Sequence, residues 1–264
     1  MFSHRSVRPL FRKFKFLILL VAVLAGGSAL RAGDDAVIAD MRRKILEIQK
    51  QMVGEADATK LLELQGQIRA VMDETMPKLS PPTRALFEVS LKVIMPIQDL
   101  TTAYMQKVGA YTGSPKSDFS TIKTVADIDE RVGLVEELVT QNEAVLVRLN
   151  NFDKDCEKVL ATSSIDAEAK RGFLTGVNEG FGRQIGPMRA IRSLDTQAYR
   201  QLQKAYGYLK DHWGKWKPGT GGGLTWNDAG QQGEFAAICG EINVIVERQT
   251  KAQQVLVERM QPRK

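Results

Sequence analysis

The sequence predicts an all-α protein, an antiparallel bundle of about six to seven helices, some long and coiled-coil-like. Three observations predict it. From residue 34 onward apolar residues recur at alternating steps of three and four, the period of one helix face. Capping and breaking residues stand where those runs begin and end. No stretch of alternating β-branched residues offers a sheet. Hydrophobic residues make up 43% and charged residues 26% of the 264, an ordinary globular composition that argues against disorder.

The first segment is of another kind. Arg5, Arg8, Arg12, Lys13 and Lys15 precede ten consecutive apolar residues, Phe16 to Ala25, followed by Gly26, Gly27, Ser28 and Ala29. Basic, apolar and small, in that order, is the layout of a secretory signal peptide. The run is short for a bilayer span, which takes about 20 residues. Residues 1–32 are therefore expected to be a leader cleaved after Ala32, or after Ala29, with an uncleaved anchor near residues 16–30 as the alternative; residues 33–264 form the helical domain. The expected location is periplasmic or secreted.

The leader also disposes of the net charge of +6. Six of the 37 basic residues and none of the 31 acidic ones lie in residues 1–32, so the remainder is formally neutral. A protein that neutralises phosphates keeps its positive field after processing; nucleic acid is not an expected partner. In an oxidising compartment Cys156 and Cys239 are a candidate disulfide, closing a loop of 83 residues for about 4–5 kcal/mol; two independent buried thiols are the other reading.

The elements follow in order. Ile38, Met41, Ile45, Ile48 and Met52 line one helix face, and Gly54 breaks it. Asp57 opens a second helix with Leu61, Leu64, Ile68, Val71 and Met72, expected to fold back on the first. Ser80-Pro81-Pro82 starts a third, with a capping serine and prolines where a missing N–H costs nothing. Pro96 is expected to kink it. A fourth stripe runs from Ile128 through Val135, Leu138, Val145, Leu149, Phe152 and Cys156 to Val159, with Asn142 its one polar member; unbroken, it makes a rod of about 50 Å. Ser163 with Asp166 reads as a capping pair for a fifth helix, which Gly186-Pro187 ends while opening a sixth. A glycine-rich loop fills roughly 214–227, and Asp228 caps the last helix.

Two features stand apart from this frame. Gly172, Gly176 and Gly180 recur every fourth residue, a spacing that lets helix backbones approach closely. Lys170, Arg171, Glu179 and Arg183 make the segment too polar for lipid, so helix packing within the fold is expected. All three tryptophans, Trp213, Trp216 and Trp226, fall beside His212 in the Gly/Trp-rich loop near 213–228. Such a cluster could grip a sugar or a peptide, or Trp213 could close the core beside a flexible connector. The run Lys217 to Gly223 has the glycine content of a phosphate-binding turn, but no Gly-Lys-Ser/Thr ends it.

Catalytic equipment is sparse. His212 is the only histidine after the leader, and no nucleophile turn stands near it. Glu136-Glu137 and Asp153-Asp155 lie on periodic helices with basic neighbours and read as solvated faces. No cofactor and no metal is implied. The expected role is a non-enzymatic interaction or structural component of the cell envelope, with protein partners or self-association. A glycan- or peptide-binding module using the tryptophan loop is the alternative. A membrane enters only through an uncleaved leader.

Overall fold

The structure, a computed structural model, describes residues 34–52, 58–177, 182–219 and 223–260. The leader, Gly54, Asp57 and Gly180 lie outside the described residues. Eight α-helices are described: α1 (Asp35–Met52), α2 (Ala58–Thr75), α3 (Pro81–Gly113), α4 (Val125–Asn150), α5 (Phe152–Ala161), α6 (Ala167–Val177), α7 (Arg183–Asp211) and α8 (Ala229–Met260). An antiparallel pair, β1 (Trp216–Pro218) and β2 (Leu224–Trp226), stands between α7 and α8. The all-α expectation holds. Among the described residues no helix is long and apolar enough to cross a membrane.

The chain divides into two compact units. One comprises residues 34–102, 145–189 and the last turns of α8 from residue 255. Its core gathers the predicted faces of α1 and α2 with Leu79, just before α3, and Phe87 and Ile94 of α3. Asp34, itself buried, ties the start of α1 to the start of α3. Its carboxylate accepts from the Ser80 N–H at 3.0 Å and from the hydroxyls of Ser80 and Thr83 at 2.5 Å each. Ser80 stands just before α3, as the sequence indicated, but its hydroxyl bonds Asp34 and Thr83 rather than a first-turn N–H.

Three expectations about this unit need correction. The fourth stripe is not one rod, because the helix breaks at Asn151, whose ψ of 4° leaves the helical range. Apolar spacing continues across the break through Leu149, Phe152 and Cys156, all buried, so the stripe conceals it. The freed Leu149 carbonyl accepts two bonds from the Arg189 guanidinium, at 3.1 and 2.6 Å, a cationic cap on the negative end of α4. Ser163 and Asp166 do not act as a box: Asp166 alone caps α6 by accepting from the Ala169 N–H at 2.8 Å, while the Ser163 hydroxyl donates back to the Leu160 carbonyl. Nor does Gly186-Pro187 end a helix, since α7 already runs from Arg183. Proline at 187 cannot donate to the carbonyl four residues earlier, and that oxygen, on Arg183, accepts instead from Arg259 Nη1 at 2.9 Å. Helix α3 likewise continues through Pro96.

The other unit comprises Ala103–Ala144 and Ala190–Gln254. Here segments of α3, α4, α7 and α8 form a four-helix arrangement whose directions follow from side-chain pairs. Tyr104 bonds Tyr199 and Tyr111 bonds Tyr206, so α3 and α7 run parallel. Glu143 pairs with Arg200 and Asp129 with Lys210, so α4 runs against α7. Asp195 meets Gln249 and Tyr208 meets Glu234, so α8 runs against α7 too. The chain order is up-down-up-down, the topology of simple bundles.

Candidate functional site

At the end of this bundle where α7 stops, the sequence-predicted site residues come together. His212 lies in the turn after α7, its ring stacked on Tyr208 with centroids 4.1 Å apart and its Nδ1 2.9 Å from the Tyr208 carbonyl. The glycine-rich stretch is a hairpin rather than a plain loop, a correction to the reading that found no strand. Trp216 pairs with Trp226 and Pro218 with Leu224. The alternation of a strand then buries Trp216, Leu224 and Trp226 on one side and leaves Lys217 and Thr225 on the other. The hairpin is too short to show as alternating β-branched sequence; its signal was the paired tryptophans flanking glycines.

Burial separates the three tryptophans. Trp216 is 6% and Trp226 9% exposed, whereas Trp213 is 41% exposed. Trp216 Nε1 donates to the Leu209 carbonyl at 2.9 Å, and Trp226 packs on Phe235 of α8 with centroids 5.4 Å apart. Phe119, in the turn between α3 and α4, joins Phe235 and Tyr206 edge-on. These rings close the bundle end. Trp213 alone faces solvent, held edge-on against Trp216 at 5.3 Å.

Gly214 has φ +81°, a conformation in which a side chain is strained. Gly214→Ala should cost about 1 kcal/mol, read as a lower urea midpoint. Gly219 has a steric reason for being glycine, because an added Cβ would sit 2.9 Å from Thr225 Oγ1 across the hairpin. Trp213→Ala should change stability by less than about 0.5 kcal/mol in the same measurement.

A second constellation lies inside the bundle; of it the sequence marked Asn142 as the polar member of a stripe and Tyr104 as a candidate apolar position of the third helix. Asp195 is fully buried. Its Oδ1 accepts from Gln249 Nε2, and Arg192 Nη1 stands 3.2 Å from its Oδ2. The Arg192 guanidinium lies over the Tyr104 ring at 4.8 Å. The Tyr104 hydroxyl faces the carboxylate and is 2.9 Å from that of Tyr199. Asn142 Nδ2 donates to the Arg192 carbonyl at 2.6 Å and to Thr196 Oγ1 at 2.9 Å. Burial pushes the Asp195 carboxyl up to about 6, against the opposing pull of Arg192 and Tyr104. Burial also raises the Tyr104 and Tyr199 phenols, which stay protonated.

The remaining candidates are not gathered into either constellation. Cys156 is buried on α5 and Cys239 half-buried on α8, and both are free thiols. The disulfide reading is corrected to the reading of independent thiols. They belong to different units. Burial pushes each thiol up to about 12, so neither offers the thiolate a nucleophile needs. Gly172 is half-buried and Gly176 buried on α6. Glu137 pairs with Lys107 and Asp155 with Arg148 on exposed faces. Among the described residues, no group of three or more His, Cys, Asp or Glu could hold a metal ion. A shallow cleft of about 190 Å³ runs between α2 and α3, lined by Gln65, Ile68, Arg69, Met72, Met95 and Gln98 among others.

Compared with known family models, curated proteins and solved structures, the chain matches none.

Proposed function

We propose that the chain is an exported, non-enzymatic helical protein of the cell envelope that acts by holding a protein partner or further copies of itself. The observation that carries the reading is where the reactive groups stand. Both thiols are raised by burial, the histidine is bonded to a backbone carbonyl and stacked on a tyrosine, and the deepest carboxylate is enclosed by four helices. None of these is a nucleophile and base paired at a cavity, which is what a hydrolase needs. The described cleft fits a side chain better than a substrate, since ligand pockets run to roughly 300–1,000 Å³.

The fourth stripe does not serve as the contact surface in this reading. Val135, Leu138, Val145, Leu149 and Phe152 are all buried within the chain itself, so association must use outer faces. Light scattering of the purified chain lacking residues 1–32 should report a defined oligomer, or a defined complex once the envelope partner is identified by crosslinking. A monomer with no crosslinked partner would remove the proposal.

A ligand-binding reading, for a glycan or a peptide at the hairpin, retains one specific observation: Trp213 is exposed and stands edge-on against Trp216. Trp emission titrated with envelope polysaccharide fragments should shift in the natural chain and not in Trp213→Ala. No response at millimolar ligand counts against this reading.

A further inference from the structure

We propose that the buried polar layer around Asp195 makes the four-helix arrangement proton-sensitive, so that uptake of one proton at Asp195 strengthens it. The argument begins with an incomplete ion pair. Arg192 Nη1 is 3.2 Å from Asp195 Oδ2, yet neither atom has a hydrogen-bond partner, and neither is reached by solvent. A buried pair offsets the loss of hydration only when its geometry is good and its remaining donors and acceptors are satisfied. This one is not satisfied, and the folded state carries the cost of an ionised carboxylate that the unfolded chain leaves in water.

Arg192, the Tyr104 hydroxyl and the Gln249 amide favour the charge, but Oδ2 is left without a donor. Facing the carboxylate are Arg192 and Tyr199 from α7 itself, Tyr104 from α3 and Gln249 from α8. The nearby group from α4 is neutral Asn142, which spends its amide N–H bonds on Arg192 and Thr196 and leaves its own Oδ1 without a donor. Protonation would turn the Oδ2 acceptor, which lacks a donor, into a neutral hydroxyl. Arg192 would keep the Tyr104 ring beneath it.

The sign follows from linkage. A carboxyl raised in the folded state from 3.8 to about 6 binds its proton more tightly when folded. Stability therefore rises as pH falls through about 6 and levels off below the unfolded value near 4, where both states carry the proton. The whole span corresponds to about a hundredfold in the folding equilibrium. Surface carboxylates act in the opposite sense at lower pH: Asp127 is held down by the N–H groups of Lys123 and Thr124, and Asp40 by Arg43. A comparison with Asp195→Asn cancels them.

Urea unfolding of the natural chain and of Asp195→Asn, from pH 4.5 to 8, tests the proposal. The ratio of their folding equilibria should move by at least tenfold across that range, in favour of the natural chain at acid pH. Parallel profiles would overturn it. Carbon-13 titration of the Asp195 carboxyl in the natural chain is a second readout that needs no variant. A midpoint near 6 supports the proposal, and a midpoint below 4 overturns it even if Asp195→Asn fails to fold.

Discussion

Replacing Tyr206 with alanine should lower the stability of the four-helix unit by about 3–5 kcal/mol, the range for emptying a large aromatic from a packed core. The side chain is completely buried. Its hydroxyl is 2.8 Å from that of Tyr111 and 3.2 Å from the Lys116 carbonyl, and its ring meets Phe119 edge-on at 5.2 Å. Alanine removes the ring and the hydroxyl bonds to Tyr111 and Lys116. Tyr206→Phe separates the two contributions: it keeps the ring and should cost only about 1–2 kcal/mol for the lost hydroxyl bonds. Equilibrium urea unfolding of both variants checks this. Equal losses would mean that hydrogen bonding, not packing, holds the layer.

Asp34→Ala should cost about 3–4 kcal/mol, although the residue sits one position before the first described helix. Three donors converge on its carboxylate: one N–H and two hydroxyls, all at the start of α3. Without it they are left in a site where Thr83 is 1% exposed, and each buried unsatisfied group costs about 1–3 kcal/mol. Asp34→Asn retains an acceptor and should recover part of the loss. Thermal unfolding followed by circular dichroism reads both. If Asp34→Ala were neutral, the start of α1 would not be anchored to α3.

Much of the frame was legible because burial repeats with the helical period. Ile38, Met41, Ile45, Ile48 and Met52 form a buried line as read, and α3 begins straight after Ser80. Periodicity is blind where a break preserves the three–four rhythm, as at Asn151. Proline rules mislead where a distant side chain satisfies the freed carbonyl, as Arg259 does for Pro187. The tryptophan loop was recognised as a cluster, but its division into two buried rings and one exposed one depends on strand register. The Asp195 layer was the hardest to see. Arg192, Asp195 and Tyr199 read as ordinary members of a polar helix, and only the packing of α3, α4 and α8 around them makes them a buried set.

The two tyrosine pairs join residues that lie 95 positions apart. At a synthesis rate of about 5–20 residues per second, Tyr104 emerges roughly 5–20 s before the residue that will hold it. During that interval the four-helix unit cannot close, whatever the first three helices have done. A chain assembled in this order completes its four-helix unit only once most of its length has been made.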